Sequence, residues 1–496
     1  MINRGLLFIL TMCISVSGLA SGQGQPQKQP YEPLELPSGK HFPVSQSHLL
    51  RLRDRADKRA KACMRAHAWD LFAGLTKASP VWNTWYTKCD VGLKKCGTQF
   101  EQEKPNLHRP LRNFEVPVQL LNQLYATYVS APPQSSGTAL NSDPLRKAVL
   151  EFATNFRAHP QFASVIFNQE AADAIRDNCL LPSNAGVAMH SFKPCPPTPV
   201  PGGKIKEFKR GAVVLKTFWE LLIPGQDGIG ELSTWNQEVW NNIQQENDPN
   251  IARFQIPTLR VATTSESPCQ NRDYANDETV PISCFYAFKL SQQDVDALRA
   301  SPPDLVALSD SGVVADNFLV LVAVHVTTKE IPDWVWATFW WDNHGVSDSR
   351  ADGRPGTIGP KWRHFLMENT LSGTTPTEKD GGPKICFNPY LETAIPNGVI
   401  SNCLQCHSKA AYGPPSRIGA YDLGILGRNG STLASHRDPD PHYFDNRVQT
   451  DFMWSVADAQ NPNIKDVLDL LNTDLRDLQL QSIRIKQQDA APSPKR

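Results

Sequence analysis

Two cysteines and a histidine in the last quarter of the chain have the spacing of a cofactor attachment site. Cys403, Cys406 and His407 form the sequence C-x-x-C-H. The two residues between the cysteines complete about one helical turn. Both sulfurs can therefore reach the two vinyl groups of a haem while the histidine meets the iron from one face. We predict one covalently attached haem c, with Cys403 and Cys406 as its binding residues and His407 as the proximal iron ligand.

The sixth position on that iron decides what chemistry the site can perform. A methionine or histidine closes the position and favours electron transfer, whereas an open position admits peroxide, oxygen or another small ligand. The chain offers six candidate ligands: His344, His364, Met367, His436, His442 and Met453. Met453 follows the motif at a separation that many small cytochromes c use for their methionine ligand. Because the segment 452–454 is also a plain apolar stretch, packing in a helix is an equal alternative.

The N-terminus has the composition of an export signal. Arg4 precedes an apolar run over residues 6–16, and small residues at 20–22 provide a cleavage site. We therefore expect residues 1–22 to be a signal peptide that is cleaved near Gly22. The apolar run is shorter than the ~20 residues that span a bilayer, and no later stretch is long enough. The sequence predicts a periplasmic protein without a membrane span in the mature chain.

The cysteine count agrees with an oxidising compartment. Of eleven cysteines, Cys13 leaves with the signal peptide and two belong to the motif. Eight remain: Cys63, Cys89, Cys96, Cys179, Cys195, Cys269, Cys284 and Cys386. An even remainder favours disulfides, and we predict the pairs Cys179–Cys195 and Cys269–Cys284 because each closes a short, loop-like segment. The pairing of the other four stays open. None of the eight has a C-x-x-C partner, which disfavours a metal site.

Composition excludes several classes of function. The chain has 496 residues, 40% of them hydrophobic, which is ample for a packed core. Lysine plus arginine and aspartate plus glutamate number 50 each, so the charge balance does not favour nucleic acid or an anionic membrane as a partner. The chain lacks the G-x-S-x-G, H-E-x-x-H, Walker and G-x-G-x-x-G motifs. Haem is the only cofactor that the sequence supports.

Helices dominate the predicted N-terminal part. Residues 23–44 are rich in Pro, Gln and Lys, which predicts a flexible tether. Apolar residues recurring at helical spacing then predict helices over these ranges: 45–77, 117–130, 143–158, 168–177 and 233–247.

Runs of β-branched and aromatic residues follow in the middle of the chain. They predict strands over these ranges: 212–219, 285–288, 318–326 and 334–341. The nearly unbroken apolar run 318–326 is typical of a central strand that is covered on both faces. A turn over 327–333 would join it to the next strand as a hairpin. We expect a mainly antiparallel sheet, packed against the N-terminal helices.

These elements predict an α+β protein in two parts. Residues 45–373 form the helix-and-sheet body, and residues 374–496 form a haem c-binding segment. Glycine, proline and polar residues dominate 374–441, and long loops of this kind usually wrap around a ligand. The expected fold is therefore N-terminal helices on a mainly antiparallel sheet, followed by a loop-rich, cytochrome c-like segment.

Four segments carry a resemblance to a known family. Residues 334–339, 386–392, 401–411 and 449–455 together resemble a family of large bacterial exported monohaem c-type cytochromes, most of which have no assigned activity. The segments follow in the same order over the C-terminal third of the chain. The resemblance implies that the family's haem residues correspond to Cys403, Cys406 and His407.

Single-electron transfer is the function that these observations favour. The expected partner is a periplasmic redox protein or a dehydrogenase. Two alternatives stay open. The first is a haem oxidoreductase with peroxidase-like or small-molecule oxidation chemistry, favoured by the large body, since electron transfer alone needs only a domain of ~100 residues. The second is a non-catalytic sensor or the cytochrome subunit of a dehydrogenase complex.

Overall fold

The computed structural model describes part of the chain, including the predicted haem motif and most of the predicted sheet. The described residues are 31–55, 57–93, 114, 161–178, 180, 201–233, 258–265, 267–299, 313–370, 386, 388–390, 402–413 and 444–460. Their helices are α1 Gln46–Arg55, α2 Lys58–Leu75, α3 Gln169–Asp177, α4 Gln292–Arg299, α5 Cys403–His407 and α6 Trp454–Gln460. No described helix is long and apolar enough to cross a membrane.

The strands form one large sheet and two small ones. They are β1 Tyr86–Thr87, β2 Gln161–Phe167, β3 Val213–Leu222, β4 Ile229–Ser233, β5 Thr258–Ala262, β6 Val280–Pro281, β7 Ala287–Lys289, β8 Phe318–Thr328, β9 Val335–Trp341, β10 Phe365–Thr370, β11 Ala411–Tyr412 and β12 Val448–Gln449. The large sheet has the order β1-β2-β3-β8-β9-β10, and β7 also pairs with β8. Every pairing in this sheet is antiparallel. The expected α+β class with a mainly antiparallel sheet is confirmed.

Strand β8 lies in the middle of the large sheet, as its apolar sequence predicts. It pairs with β3 along its whole length and with β9 over its second half. The register places Thr328 opposite Val335, so β8 and β9 form the expected hairpin. Trp334 adopts a φ of 61° just before β9. This conformation is rare for a bulky side chain, and it turns the chain from the hairpin loop into the strand.

The N-terminal helices cover one face of the large sheet. Asp57 caps α2 by accepting a hydrogen bond from the Ala60 backbone N–H at 2.8 Å, so the predicted helical region is divided into α1 and α2 at this residue. Phe72 of α2 stacks on Phe339 of β9 with ring centroids 4.1 Å apart. Trp69 packs edge-on against the same phenylalanine. The prediction that the helices pack on the sheet is confirmed.

A second apolar cluster lies on the opposite face of the sheet. Trp336 belongs to it, whereas Ala337 and Phe339 belong to the first cluster, as the two-residue alternation of a strand requires. The described members that matter for the site are Val165, Phe167, Val214, Trp334, Trp336, Leu404, Val448, Met453 and Val456. This second cluster brings α5 and α6 against the sheet.

Residues 31–44 are not a flexible tether, which corrects the prediction for this part of 23–44. Leu34 and Leu36 are buried in the first cluster, and each such burial contributes ~1.5–3 kcal/mol. The Glu32 carbonyl accepts a hydrogen bond from Trp85 Nε1 at 2.7 Å. The Val44 N–H donates to Glu330 Oε1 at 2.9 Å. The polar composition gave no indication that two apolar side chains and two backbone groups bind this segment to the body.

Several predictions fall wholly or partly outside the described residues. These are the signal peptide, the tether over 23–30, the helices 117–130 and 143–158, nearly all of the helix 233–247, the Cys179–Cys195 pair and the boundary at 373/374. Helix α3 confirms the helix predicted over 168–177. Cys269 and Cys284 form the predicted disulfide. Cys89 is also disulfide-bonded.

Candidate functional site

The C-x-x-C-H motif forms the short helix α5 on the second cluster. The Cys406 N–H donates to the Asn402 carbonyl at 3.1 Å, and the Ser408 N–H donates to the Leu404 carbonyl at 2.8 Å. Leu404 is buried and anchors the turn in the cluster. Residues three and four apart lie on one side of a helix. Cys403 precedes Cys406 by three residues and His407 by four, so it shares a side of α5 with each of them.

The segment 444–460 holds α5 in place. Strand β11 follows α5 and pairs with β12. The Thr450 backbone N–H and its hydroxyl both donate to the Ala410 carbonyl, each at 3.0 Å. Trp454 Nε1 donates to the Cys406 carbonyl at 3.3 Å. The motif is therefore fixed by a segment that follows it by about forty residues in the chain.

One hydrogen bond sets the tautomer of His407. Its Nδ1 lies 2.7 Å from the Phe452 carbonyl oxygen. Because a carbonyl can only accept, Nδ1 carries the proton, and Nε2 keeps its lone pair. A metal-binding histidine usually has this arrangement, in which one ring nitrogen donates to an orienting acceptor and the other faces the metal. His407 is thus prepared to act as a ligand through Nε2.

A strained turn aims the Phe452 carbonyl at His407. Asp451 and Phe452 have φ values of 48° and 70°, in the left-handed region that non-glycine residues seldom adopt. Asp451 stabilises the turn from within. Its Oδ1 accepts from Lys329 Nζ at 2.7 Å, and its Oδ2 accepts from the Phe208 N–H at 2.8 Å. The turn persists because its surroundings hold it on two sides.

The electrostatics of the site keep His407 neutral. Burial lowers the pKa of His407 to about 3, because the cation loses its hydration. The Phe452 carbonyl opposes this shift, and the nearby charges of His325 and Lys216 add to it. His325 and Lys216 are opposite each other on the neighbouring strands β8 and β3. An uncharged imidazole is the form that binds a metal.

Trp336 provides the wall beside His407. The two ring centroids are 4.3 Å apart, with the ring planes tilted by 41°. Trp336 is itself fixed, because its Nε1 donates to the Asp333 carbonyl at 2.9 Å and its side chain is buried in the second cluster. Trp336 is therefore part of the core, and it also contacts the predicted ligand.

A third cysteine lies beside the motif, and sequence reasoning did not place it there. Cys386 Sγ is 3.3 Å from Cys403 Sγ, and Cys386 is buried. Asn388 ties this segment to β9, because its Nδ2 donates to Thr338 Oγ1 at 2.7 Å and to the Phe339 carbonyl at 3.1 Å. The only signal in the sequence was that Cys386 had no obvious partner among the remaining cysteines.

Met453 lies next to the residue that orients His407. It directly follows Phe452, whose carbonyl binds Nδ1 of His407, and its side chain is buried in the second cluster. These contacts account for Met453 as a packing residue of the segment that holds α5. Its role as the distal ligand stays a prediction.

The structure does not bring the other described candidate ligands to the motif. Met367 is buried in the first cluster and pairs with Phe339. His364 stacks on Trp341 of that cluster, and its Nε2 contacts the Gln270 carbonyl at 3.2 Å. His344 is near Asp342 at the end of β9. His436 and His442 are outside the described residues.

One group of metal-ligating side chains occurs elsewhere in the described part of the chain. The ligand atoms of Cys269, Cys284 and His364 lie within 4.8 Å of one another. Both sulfurs belong to the disulfide, so neither is available as a thiolate, and thiolate is the form that binds metals. This group is a structural link between the loop 267–284 and the sheet.

Comparison of the chain with protein-family models, with curated proteins and with solved structures gives no match. The function must therefore be argued from the site itself.

Proposed function

We propose that the protein is an exported c-type cytochrome that carries single electrons between periplasmic redox partners. One haem c would be attached through Cys403 and Cys406, with His407 as the proximal ligand. The observation that carries the proposal is the 2.7 Å contact between His407 Nδ1 and the Phe452 carbonyl. It leaves Nε2 as a neutral lone-pair donor on α5, the helix that also carries the two thiols.

The donor set fits a covalently bound haem. Neither Cys403 nor Cys406 is in a disulfide, and both are partly exposed, so their sulfurs are accessible to a cofactor. When bound, haem iron accepts and releases one electron. The protein contributes the rest: α5 sets the spacing of the two sulfurs, and the turn 451–452 orients the imidazole.

The surroundings of His407 support electron transfer in particular. Trp336 and the second cluster exclude water from one side of the imidazole. The positive charge of Lys216 acts on the same ring. Positive charge near a redox centre stabilises its reduced form, so this residue would raise the reduction potential. The fixed ring and rigid strands limit the rearrangement that accompanies a change of charge.

The proposal extends to the C-terminal segment and to the compartment. Residues 374–496 would form the cytochrome c-like haem segment, in agreement with the resemblance to large exported monohaem cytochromes. The Cys269–Cys284 disulfide supports an oxidising compartment. The partner would be a periplasmic redox protein or a dehydrogenase. N-terminal sequencing of the exported protein should give a start near Gln23.

Two measurements test the proposal. The wild-type protein, co-expressed with a haem-attachment system, should keep haem through a denaturing gel, and the Cys403→Ala/Cys406→Ala variant should lose it. Cys63→Ala is the matched control, because Cys63 is an exposed cysteine outside any disulfide and far from α5 in the chain. A double variant that keeps covalent haem would disprove the attachment.

Carbon monoxide separates electron transfer from the alternatives. A low-spin absorption spectrum that does not change with carbon monoxide would show a closed sixth position and support the proposed carrier. A high-spin spectrum that shifts would show an open iron. That result would replace the carrier with a haem oxidoreductase or a sensor.

A further inference from the structure

The contact between Cys386 and Cys403 is the observation from which we start. Their sulfurs are 3.3 Å apart, and neither residue is in a disulfide. A disulfide bond is about 2.05 Å long, so the two sulfurs would have to approach each other by about 1.25 Å to form one. Two further described cysteines are outside a disulfide: Cys406, in the motif itself, and Cys63, which is exposed on α2.

We propose that Cys386 is a resolving thiol that forms a reversible disulfide with Cys403 in the haem-free protein. Haem attachment at a C-x-x-C-H motif does not need this disulfide, so the inference goes beyond the proposed function. Only its consequence for haem attachment rests on the proposed function, because the bond itself needs nothing but the two thiols and an oxidant.

Both thiols are held by structure on either side of the contact. Asn388 joins the segment of Cys386 to β9 through two hydrogen bonds, and its Oδ1 accepts from the Tyr390 N–H at 3.0 Å. Leu404 anchors α5 in the second cluster next to Cys403. When two groups are held in contact, their reaction becomes intramolecular and much of the entropy cost has already been met.

Exposure assigns a role to each thiol. Cys403 is partly exposed, whereas Cys386 is 3% exposed. An external oxidant therefore meets Cys403 first. Cys386 is shielded from such reagents and can react only with a partner that is already beside it. This is the arrangement of an attacking and a resolving cysteine.

The reaction balances with a protein disulfide as oxidant, the class that oxidises thiols in export compartments. The Cys403 thiolate attacks that disulfide, forms a mixed disulfide and displaces one thiolate of the oxidant. The Cys386 thiolate then attacks the Cys403 sulfur and displaces the second. The oxidant leaves as a dithiol. It has taken up two electrons and the two protons that Cys403 and Cys386 release. A dithiol reductant reverses the sequence.

The consequence is control over Cys403. While its sulfur is bonded to Cys386, it cannot form a thioether with haem, although Cys406 and His407 remain in place. Reduction would release Cys403 for attachment. The buried disulfide would also protect Cys403 from irreversible oxidation during export.

Peptide mapping of the haem-free full-length protein tests the bond directly. The protein is exported in cells without a haem-attachment system, free thiols are alkylated, and digestion is performed without reduction. Trypsin alone leaves all three cysteines in the peptide 385–409. Additional cleavage after Glu392 separates 385–392 from 393–409.

The expected result is that the two peptides are joined, with Cys406 alkylated and Cys403 in the cross-link. Cleavage of the peptide between Cys403 and Cys406 in the mass spectrometer identifies the bonded sulfur. A Cys403–Cys406 bond, or alkylation of all three cysteines, would overturn the proposal. In Cys386→Ser the joined peptides should be lost, and in Cys63→Ser they should remain.

Haem loading tests the consequence separately. With a haem-attachment system present and dithiol reductant limiting, a larger fraction of Cys386→Ser chains than of wild-type or Cys63→Ser chains should carry covalent haem. Equal fractions would refute the control over Cys403. If wild-type protein carries no covalent haem under any condition, the proposed function fails, and the mapping result still decides whether the disulfide exists.

Discussion

Lys329 Nζ lies 2.7 Å from Asp451 Oδ1, and each of the two side chains is 5% exposed. This buried ion pair joins the β8–β9 hairpin to the turn whose Phe452 carbonyl binds His407. Burial raises the pKa of Asp451 even though Lys329 acts in the opposite direction. Removing the two charged groups from water therefore costs free energy. The contribution of the pair is to fix the position of the turn.

Asp451→Asn should destabilise the protein, because it leaves the buried Lys329 ammonium group without its close, buried counter-ion. The expected loss is about 3 kcal/mol of unfolding free energy, measured by urea unfolding with tryptophan fluorescence. Glu207→Gln is the matched control, since Glu207 also approaches Lys329, at 3.7 Å, but is 68% exposed. It should cost less than about 1 kcal/mol. Equal losses in the two variants would contradict a special role for Asp451.

The same variant should alter the proposed haem site, because the turn orients His407. A weaker hydrogen bond from Nδ1 makes the imidazole a poorer donor to iron, so the reduction potential of Asp451→Asn should differ from that of Glu207→Gln. Redox titration followed by absorption provides the measurement. A purely structural role would change stability and leave the potential unaltered.

Lys216→Gln should lower the reduction potential. Lys216 places a positive charge near His407, and positive charge favours the reduced state, which carries one positive charge fewer. Loss of that charge should lower the potential by on the order of tens of millivolts. Lys289→Gln is the control with the same change of charge, because Lys289 pairs with Asp316 on the exposed edge strand β7. If both variants shift the potential equally, the effect is general and not local.

Glu220 should make stability depend on pH between about 4.5 and 8. Burial raises the pKa of Glu220 from 4.5 to about 8, against hydrogen bonds from Gln161 and the Ser233 N–H. Over this interval the folded state holds a proton that the unfolded state releases. Glu220 therefore destabilises the protein as pH rises, by up to about 5 kcal/mol across the interval.

Glu220→Gln should remove this contribution. The expected result is a smaller difference in unfolding free energy between pH 5 and pH 8 than in the wild-type protein. Glu231→Gln is the control, because Glu231 is exposed on the nearby strand β4. The comparison uses the pH dependence of each variant, so a uniform loss of stability in Glu220→Gln does not affect it. An unchanged pH dependence would refute the assignment.

Gly413→Ala should loosen the segment that holds α5. A Cβ at Gly413 would lie 2.5 Å from the Asn446 carbonyl oxygen, so β11 and the segment before β12 would have to separate. Overpacking of this kind costs on the order of 1–3 kcal/mol. Gly356→Ala should be neutral, because a Cβ there has no neighbour within 4 Å. Thermal unfolding of the two variants provides the comparison, and equal midpoints would refute the close packing.

Much of the sheet was predictable from local sequence. Strands β3, β8 and β9 are long runs of β-branched and aromatic residues, and such runs pack well on a pleated surface wherever they occur. Strand β2 was missed, although it contains the run Phe162 to Phe167. All of its residues are buried, so the alternation that usually identifies a strand is absent.

The site was predictable only in part. The motif at Cys403, Cys406 and His407 is visible in the sequence because the proposed covalent attachment of haem would need fixed residue types at fixed spacing. The acceptor for His407 is a backbone carbonyl, which any residue at position 452 could supply. Its direction depends on two left-handed residues, and neither is a glycine that would have indicated the turn.

The sequence by itself determined the motif on which the proposed haem attachment rests, because two cysteines and a histidine lie within five residues. It also determined the strands, whose residue types favour a sheet in any context. Only the tertiary structure decided which groups surround the motif. Lys329 and Asp451 are 122 residues apart in the chain, and Cys386 and Cys403 are 17 residues apart. Such contacts depend on how the sheet and the C-terminal segment pack, and local sequence does not record that geometry.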